Sequence, residues 1–299
     1  MKRGQASRTA EYVALFRAIE SSRGARRLFH DPYAHLFLRP KMRRLLWLTG
    51  VPVVGKAILS YSDNTWPGVR SAAVARTCYI DEKLRAALAS GIDQCVILGA
   101  GYDCRAYRMA ELSACRVFEV DHPDTLAHKR DTLLRELSAI PPHVRQVATD
   151  FNEQSFAQEM RDAGFDPSRR TFFIWEGVTG YLTAEAVDAT LRWIASSAEN
   201  SELVFTYLHN GLITDPESFG GLRHVRAALK DSNEPWVFGI DPAETPSYLA
   251  ARGFALLEDL GAREFRVRYL RNWPGALHGY EFYRIAHARV AGAGIGRQV

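Results

Sequence analysis

At 299 residues, with 47% hydrophobic and 24% charged side chains, the chain can form one large or two modest domains with a sizeable core and no covalent staples. Four cysteines without a C-x-x-C spacing argue against a disulfide framework and a zinc site, so a reduced, cytoplasmic setting is expected. The net charge of +4 is uneven: residues 1–75 hold thirteen Lys/Arg against four Asp/Glu, and the rest of the chain is acidic. Such a basic segment suits an anionic small molecule; no aromatic-interleaved RNA motif accompanies it, so nucleic acid is not an expected partner.

In chain order, no hydrophobic signal core opens the sequence. Tyr12, Leu15, Phe16 and Ile19 then fall at i, i+3, i+4, i+7, one face of a helix. Asp31-Pro32-Tyr33 reads as a turn or helix start. A basic cluster over 41–48 sits beside Leu45, Leu46, Trp47 and Leu48. The most apolar run, 45–59, contains Gly50, Pro52, Gly55 and Lys56 and is too short and broken to span a bilayer, so no membrane partner is expected. Gly50-Val51-Pro52 and the stretch from Asn64 to Gly68 read as breaks, and a second helix is predicted over 76–90, with Ile80, Leu84, Ala87 and Leu88 on one side.

From there strands and helices alternate. Strands are predicted at 94–98, 116–120, 144–148, 171–175 and 203–207, with helices near 107–112, 125–137, 155–163 and 184–197. Short apolar strands separated by helices imply an α/β fold with a mostly parallel sheet covered on both faces. A helix at 242–253 and strands at 255–259 and 280–286 add an antiparallel strand pair at one edge. The expected organisation is a helical cap or lid (1–75), one α/β catalytic domain (76–290) and a loose tail (291–299).

The first strand runs into Gly99-Ala100-Gly101-Tyr102-Asp103-Cys104-Arg105, and the second ends at Glu119-Val120-Asp121. Glycines let backbone N–H groups approach a ligand, and an acid at the end of the second strand can accept both ribose hydroxyls. Arg105 replaces the third glycine of dinucleotide folds, and an Asp and an Arg where a pyrophosphate would lie argue against NAD and FAD. The pattern fits an adenosine ligand without phosphates, of which S-adenosylmethionine is the common one.

Several further motifs fall in order along the chain: Phe29-His30-Asp31-Pro32-Tyr33, Arg76 before Ile80-Asp81, His122-Pro123 after the acid, Asp150-Phe151, and Trp175-Glu176-Gly177-Val178-Thr179-Gly180-Tyr181-Leu182. With the glycine turn they make the sequence resemble the leucine carboxyl methyltransferase-like family of S-adenosylmethionine-dependent methyltransferases. The resemblance covers roughly Ser7 to Ala286 and leans to its bacterial small-molecule branch, some of whose members act in polyketide pathways. It implies the class I methyltransferase fold, which is Rossmann-like. It also implies that Gly99, Ala100 and Gly101 pass under the methionine part of the cofactor and that Asp121 holds the ribose. Asp150 and the Phe151 backbone N–H would take adenine, Arg76 a carboxylate of cofactor or substrate, Glu176 the cofactor amino group, and Tyr181 would face the acceptor. The protein-methylating branch carries Ser-Lys-Arg near its N-terminus; here Ser7-Arg8-Thr9 keeps the charge with a different reach.

Competing roles stand beside these. Asp150 and Glu176 could cap backbone, Arg76 could be an exposed first turn, Tyr181 an ordinary half-buried aromatic, and Arg105 a structural salt bridge to Asp103 or Asp121. No metal constellation is readable, since none of the nine histidines forms an i, i+4 pair. His209, after the fifth strand, is the best general-base candidate. The expected activity is O-methylation of a carboxylate on a small aromatic molecule. A phenol, a protein C-terminus or a modified tRNA is the alternative acceptor, an adenosine-ligand sensor the non-enzymatic alternative, and a homodimer is compatible with the apolar cap.

Overall fold

The computed structural model describes residues 8–149, 156–214, 236–271, 273 and 281–292. Asp150 and Phe151 lie outside the described residues, as do Ser7 and the tail from 293.

The sheet begins with β1 (Gln94–Leu98), every residue of which is buried. Cys95 and Ile97 face one apolar layer and Val96 and Leu98 the other, because successive side chains alternate across a strand. β2 (Arg116–Asp121), β3 (Val144–Ala148), β4 (Thr171–Trp175) and β5 (Glu202–Leu208) follow, all parallel. β6 (Phe254–Leu260) and β7 (Tyr283–Val290) complete the order β3-β2-β1-β4-β5-β7-β6. The late pair is antiparallel as expected, and the antiparallel member is β7, inserted between β5 and β6. It starts at Tyr283 rather than 280, after Phe282 has met the end of β5 through its carbonyl, which accepts the His209 N–H at 2.7 Å.

Four α-helices precede β1. α1 (Arg8–Ser21), α2 (Pro40–Thr49) and α3 (Pro52–Thr65) belong to the cap, and α4 (Val69–Ala89) lies under the sheet, with Tyr79, Ile80 and Leu84 in its core. α4 begins at Val69 rather than at Arg76, because Gly68 takes a left-handed φ of 82° and ends the preceding turn. The boundary expected after residue 75 therefore lies inside a helix. Leu15, Phe16 and Ile19 of α1 are buried against Leu36, Phe37 and Ala73, whereas Tyr12, expected on the same face, is exposed.

The remaining helices are shorter than their apolar patterns suggest. They are α5 (Arg105–Arg108), α6 (Pro123–Leu133), α7 (Phe156–Asp162), α8 (Ala184–Ala195), α9 (Gly211–Thr214), α10 (Thr245–Ala250) and α11 (Ala262–Tyr269). α8 closes the face opposite α4, through Val187, Leu191 and Ile194.

The strand order reverses between β1 and β4, so the loops leaving their carboxyl ends diverge and open a crevice there. The two loops approach each other closely at Gly99 and Val178. Gly99 has φ +65°, and a Cβ on it would lie 2.3 Å from Cγ2 of Val178. Gly99→Ala should cost about 2 kcal/mol or more of stability, from the left-handed backbone and the overlap together. Urea denaturation checks it: adding Val178→Ala should recover the overlap part and leave the backbone part.

Candidate active site

Two glycines face open space at the crevice. Gly101 (φ +38°) has only its own Gly99 carbonyl within 4 Å of a would-be Cβ, and Gly177 (φ +75°) only the Tyr283 hydroxyl at 3.8 Å. A side chain at either position would fill the cradle that the bare backbone leaves. The Gly101 N–H donates to Oδ2 of Asp121 at 2.7 Å, and the His122 N–H to Oδ1 at 2.7 Å. Burial raises the Asp121 carboxyl above its usual range despite these two amides.

Beneath the turn lies an ion pair that the sequence reading did not single out. Lys129 Nζ meets Glu119 Oε1 at 2.7 Å, both side chains being wholly buried, and Tyr107 donates to Glu119 Oε2 at 2.8 Å. Lys129 also donates to the Ala100 carbonyl at 3.3 Å, which pins the turn from below.

A longer chain of charges runs from the cap to the crevice. Arg17 of α1 reaches the Tyr102 carbonyl and lies 3.3 Å from Asp31. Arg108 lies 3.9 Å from Asp31 and binds Asp81 of α4 through both terminal nitrogens, each at 2.7 Å. Arg105 contacts Asp81 at 2.8 Å, Glu176 at 2.9 Å and Asp103. Arg76 of α4 closes the chain on Glu176, Nε to Oε1 at 2.6 Å. Four arginines meet four carboxylates, so the buried charges cancel. Arg105 is thus a structural bridge, as weighed from sequence, with Asp81 and Glu176 as partners beside Asp103. Burial alone would raise Asp81 and Glu176, yet the arginines outweigh it: Arg108 and Arg105 hold Asp81 low, and Arg105 and Arg76 hold Glu176 low. Asp103, buried but beside Arg105 and Arg17, falls to about 2.

Beyond Glu176 a cleft is lined by Gly177, Gly180, Tyr181, Thr206, Trp236 and Tyr283, among others. Thr206 Oγ1 accepts from the Gly177 N–H at 2.7 Å and from the Tyr283 hydroxyl at 3.2 Å. The Arg76 guanidinium sits 5.1 Å from the centre of the Tyr283 ring, which joins the charge chain to the cleft wall. Tyr283, Thr206 and Trp236 escaped the sequence reading because they come from distant segments with no motif of their own. His209 is not among the lining residues; its Nδ1 accepts the Gly211 N–H at 3.0 Å, which leaves the proton of a neutral ring on Nε2. The structure therefore brings together Arg76, Gly99, Ala100, Gly101, Asp121, Glu176 and Tyr181 at the carboxyl ends of β1, β2 and β4. It sets His209 to one side.

The arrangement fits S-adenosylmethionine without adjustment of its chemistry. Bare backbone lies beside a pair of opposite charges, suited to a zwitterionic amino acid, and a carboxylate stands at the end of β2 for vicinal hydroxyls. Removing one member of the charge chain strands its partners: Asp81→Asn should cost about 3 kcal/mol. Because the carboxylates titrate lower when folded, their contribution is complete above about pH 4.5 and is lost as pH falls towards 2. Thermal unfolding between pH 6 and pH 3 should therefore show a steeper loss of stability in the wild type than in Asp81→Asn, as about one fewer linked carboxylate predicts.

Residues 10–195 match the model of the leucine carboxyl methyltransferase family. The chain is 32% identical over 266 residues to a protein of Mycolicibacterium gilvum (strain PYR-GCK) assigned by name to the S-adenosyl-L-methionine-dependent methyltransferases, covering 83% of this chain and 84% of that one. A similarly named protein of Mycolicibacterium paratuberculosis is 31% identical over 287 residues, covering 89% and 88%. In fold, the chain is similar to a crystal structure from Thermobifida fusca YX, assigned by name to the methyltransferases, with a TM-score of 0.62, 18% identity and 97% of each chain covered. On the family match over residues 10–195 and the relatives at 32% and 31% identity, the chain belongs to the leucine carboxyl methyltransferase family of S-adenosyl-L-methionine-dependent methyltransferases.

Proposed function

We propose that this enzyme is an O-methyltransferase acting on the carboxylate of a small, aromatic acid of the polyketide type. The observation that carries the reading is Arg76: a buried guanidinium, paired to Glu176 and lying over Tyr283, at the edge of a cleft walled by Tyr181 and Trp236. A planar fork beside aromatic rings suits an aromatic carboxylate.

S-adenosylmethionine supplies an electrophilic methyl group on a sulfonium. The protein's residues hold and align. Asp121 accepts hydroxyl hydrogen bonds, Gly99, Ala100 and Gly101 give close backbone approach, Glu176 takes the cofactor's ammonium, and Arg76 takes the acceptor's carboxylate. Asp150 and Phe151 are assigned to adenine by the family pattern. Tyr181 stands at the acceptor side. The residues of the site would hold one acceptor carboxylate oxygen in line with the sulfonium methyl group that the cofactor would supply. The acid, with a pKa of about 4, is already ionised at neutral pH, so no proton has to be removed. Alignment is then the main requirement, worth ~7–11 kcal/mol in well-oriented systems. Opposite charges also vanish in the reaction, which a dry cleft favours.

Asp121→Ala should weaken cofactor binding more than tenfold, about 1.4 kcal/mol, measured by titration calorimetry with the demethylated product; unchanged affinity would remove Asp121 from the site. The acceptor is tested by the product. Incubation with labelled cofactor and a panel of aromatic acids and phenols should yield a methyl ester cleaved by mild alkali. An alkali-stable aryl ether, lost in His209→Ala, would overturn the reading in favour of base-assisted phenol methylation.

A further inference from the structure

The barest large apolar side chains among the described residues lie together on one part of the cap. Trp47 is 72% exposed, Val53 81% and Tyr61 71%, and all three sit on α2 and α3. Val53, Ala57 and Tyr61 are spaced i, i+4, i+8, so they form one outward stripe on α3. The inner side of the arm is already used, since Leu45, Leu46 and Leu59 pack on the cap core. The stripe is therefore a second apolar face, left over after folding.

The arm is basic, and its one acid, Asp63, is paired with Arg70. Between Asp31 and Asp63 the sequence has five Lys/Arg and no Asp or Glu. Arg39 is occupied by Glu11, and Arg43 by the carbonyls of Leu36 and Leu38. Lys41, Arg44 and Lys56 are exposed and have no carboxylate partner among the described residues. The arm is also held in shape. α2 and α3 meet at a bend of 117°, and a Cβ on Gly55 would lie 2.1 Å from the Thr49 carbonyl oxygen, so only glycine permits the approach.

Among the described residues no single helix is long and apolar enough to cross a membrane, and a pair bent this sharply does not form one straight span. Lying in an interface requires something else: an apolar stripe, flanking cations, and amphipathic Trp and Tyr rings. We propose that the α2–α3 arm docks on the surface of an anionic lipid bilayer, with Trp47, Val53 and Tyr61 inserted among the acyl chains and Lys41, Arg44 and Lys56 at the headgroups. The expectation of no membrane partner, drawn from the impossibility of spanning, does not extend to this peripheral mode. A second copy of the chain is the poorer occupant, because a two-fold contact through this patch would set the same unpaired cations against each other.

The test is co-sedimentation of the full chain with phosphatidylglycerol-rich vesicles and with phosphatidylcholine vesicles. Binding should occur to the former, fall as salt is raised, and drop about tenfold or more both in Trp47→Ser/Tyr61→Ser and in Lys41→Gln/Arg44→Gln/Lys56→Gln. These side chains face solvent, so both variants should keep wild-type affinity for the demethylated cofactor product, which verifies their fold. Absence of binding to anionic vesicles, or equal binding by either variant, would overturn the proposal. A wild-type dimer in sedimentation velocity that Trp47→Ser/Tyr61→Ser converts to monomer would overturn it in favour of self-association. The outcome is independent of which acceptor is methylated.

Discussion

A neutral chain of four arginines and four carboxylates, mostly buried, ties this molecule together: Arg17, Asp31, Arg108, Asp81, Arg105, Asp103, Glu176 and Arg76. Each charge alone would be costly to remove from water, so each exists only because the next one is in place. The partners come from α1, the segment before α2, α4, the loop after β1, α5 and the loop after β4. Cap and sheet domain are thereby one electrostatic unit, and residue 75 is not a physical seam. The α2–α3 arm contributes no member to the chain and is held by apolar packing and by the Asp63–Arg70 pair instead.

This arrangement also sets the character of the site. The chain ends on the Arg76–Glu176 pair, so the crevice presents both signs of charge in a largely buried setting without net charge. An ammonium beside Glu176 and an anionic group beside Arg76 would each meet its opposite charge there. Lys129 and Glu119 repeat the device below the glycine turn, fixing the Ala100 carbonyl where the backbone must hold its shape. Rigid, charge-neutral walls suit a reaction that depends on alignment.

Much of this was legible in the sequence, for physical reasons. Strands β1, β2, β4 and β5 announced themselves as short apolar runs because both their faces are covered, and the glycine turn and Asp121 because backbone geometry restricts those positions to few residue types. The last strand was misplaced by a few residues, since Tyr280 to Phe282 share the composition of the strand they precede. Tyr12 misled because one face of a 14-residue helix is wider than its contact with Leu36 and Phe37. The charge chain was readable only in part. Arg105 and Asp103 are neighbours in sequence, but nothing local says that Asp81 lies between Arg105 and Arg108, or that Glu176 meets Arg76 across 100 positions. Tyr283 and Thr206 were invisible for the same reason: their importance arises from the crossing of β5 and β7.

The central claim is that the cofactor crevice and the first part of the cap are coupled through buried charge. Hydrogen exchange, measured with and without the demethylated cofactor product, tests it most directly. The account predicts slower exchange not only in the loops after β1, β2 and β4 but also in Arg8–Ser21 and Ala34–Phe37, which hold or adjoin Arg17 and Asp31. Protection confined to the three loops, with those cap segments unchanged, would contradict it.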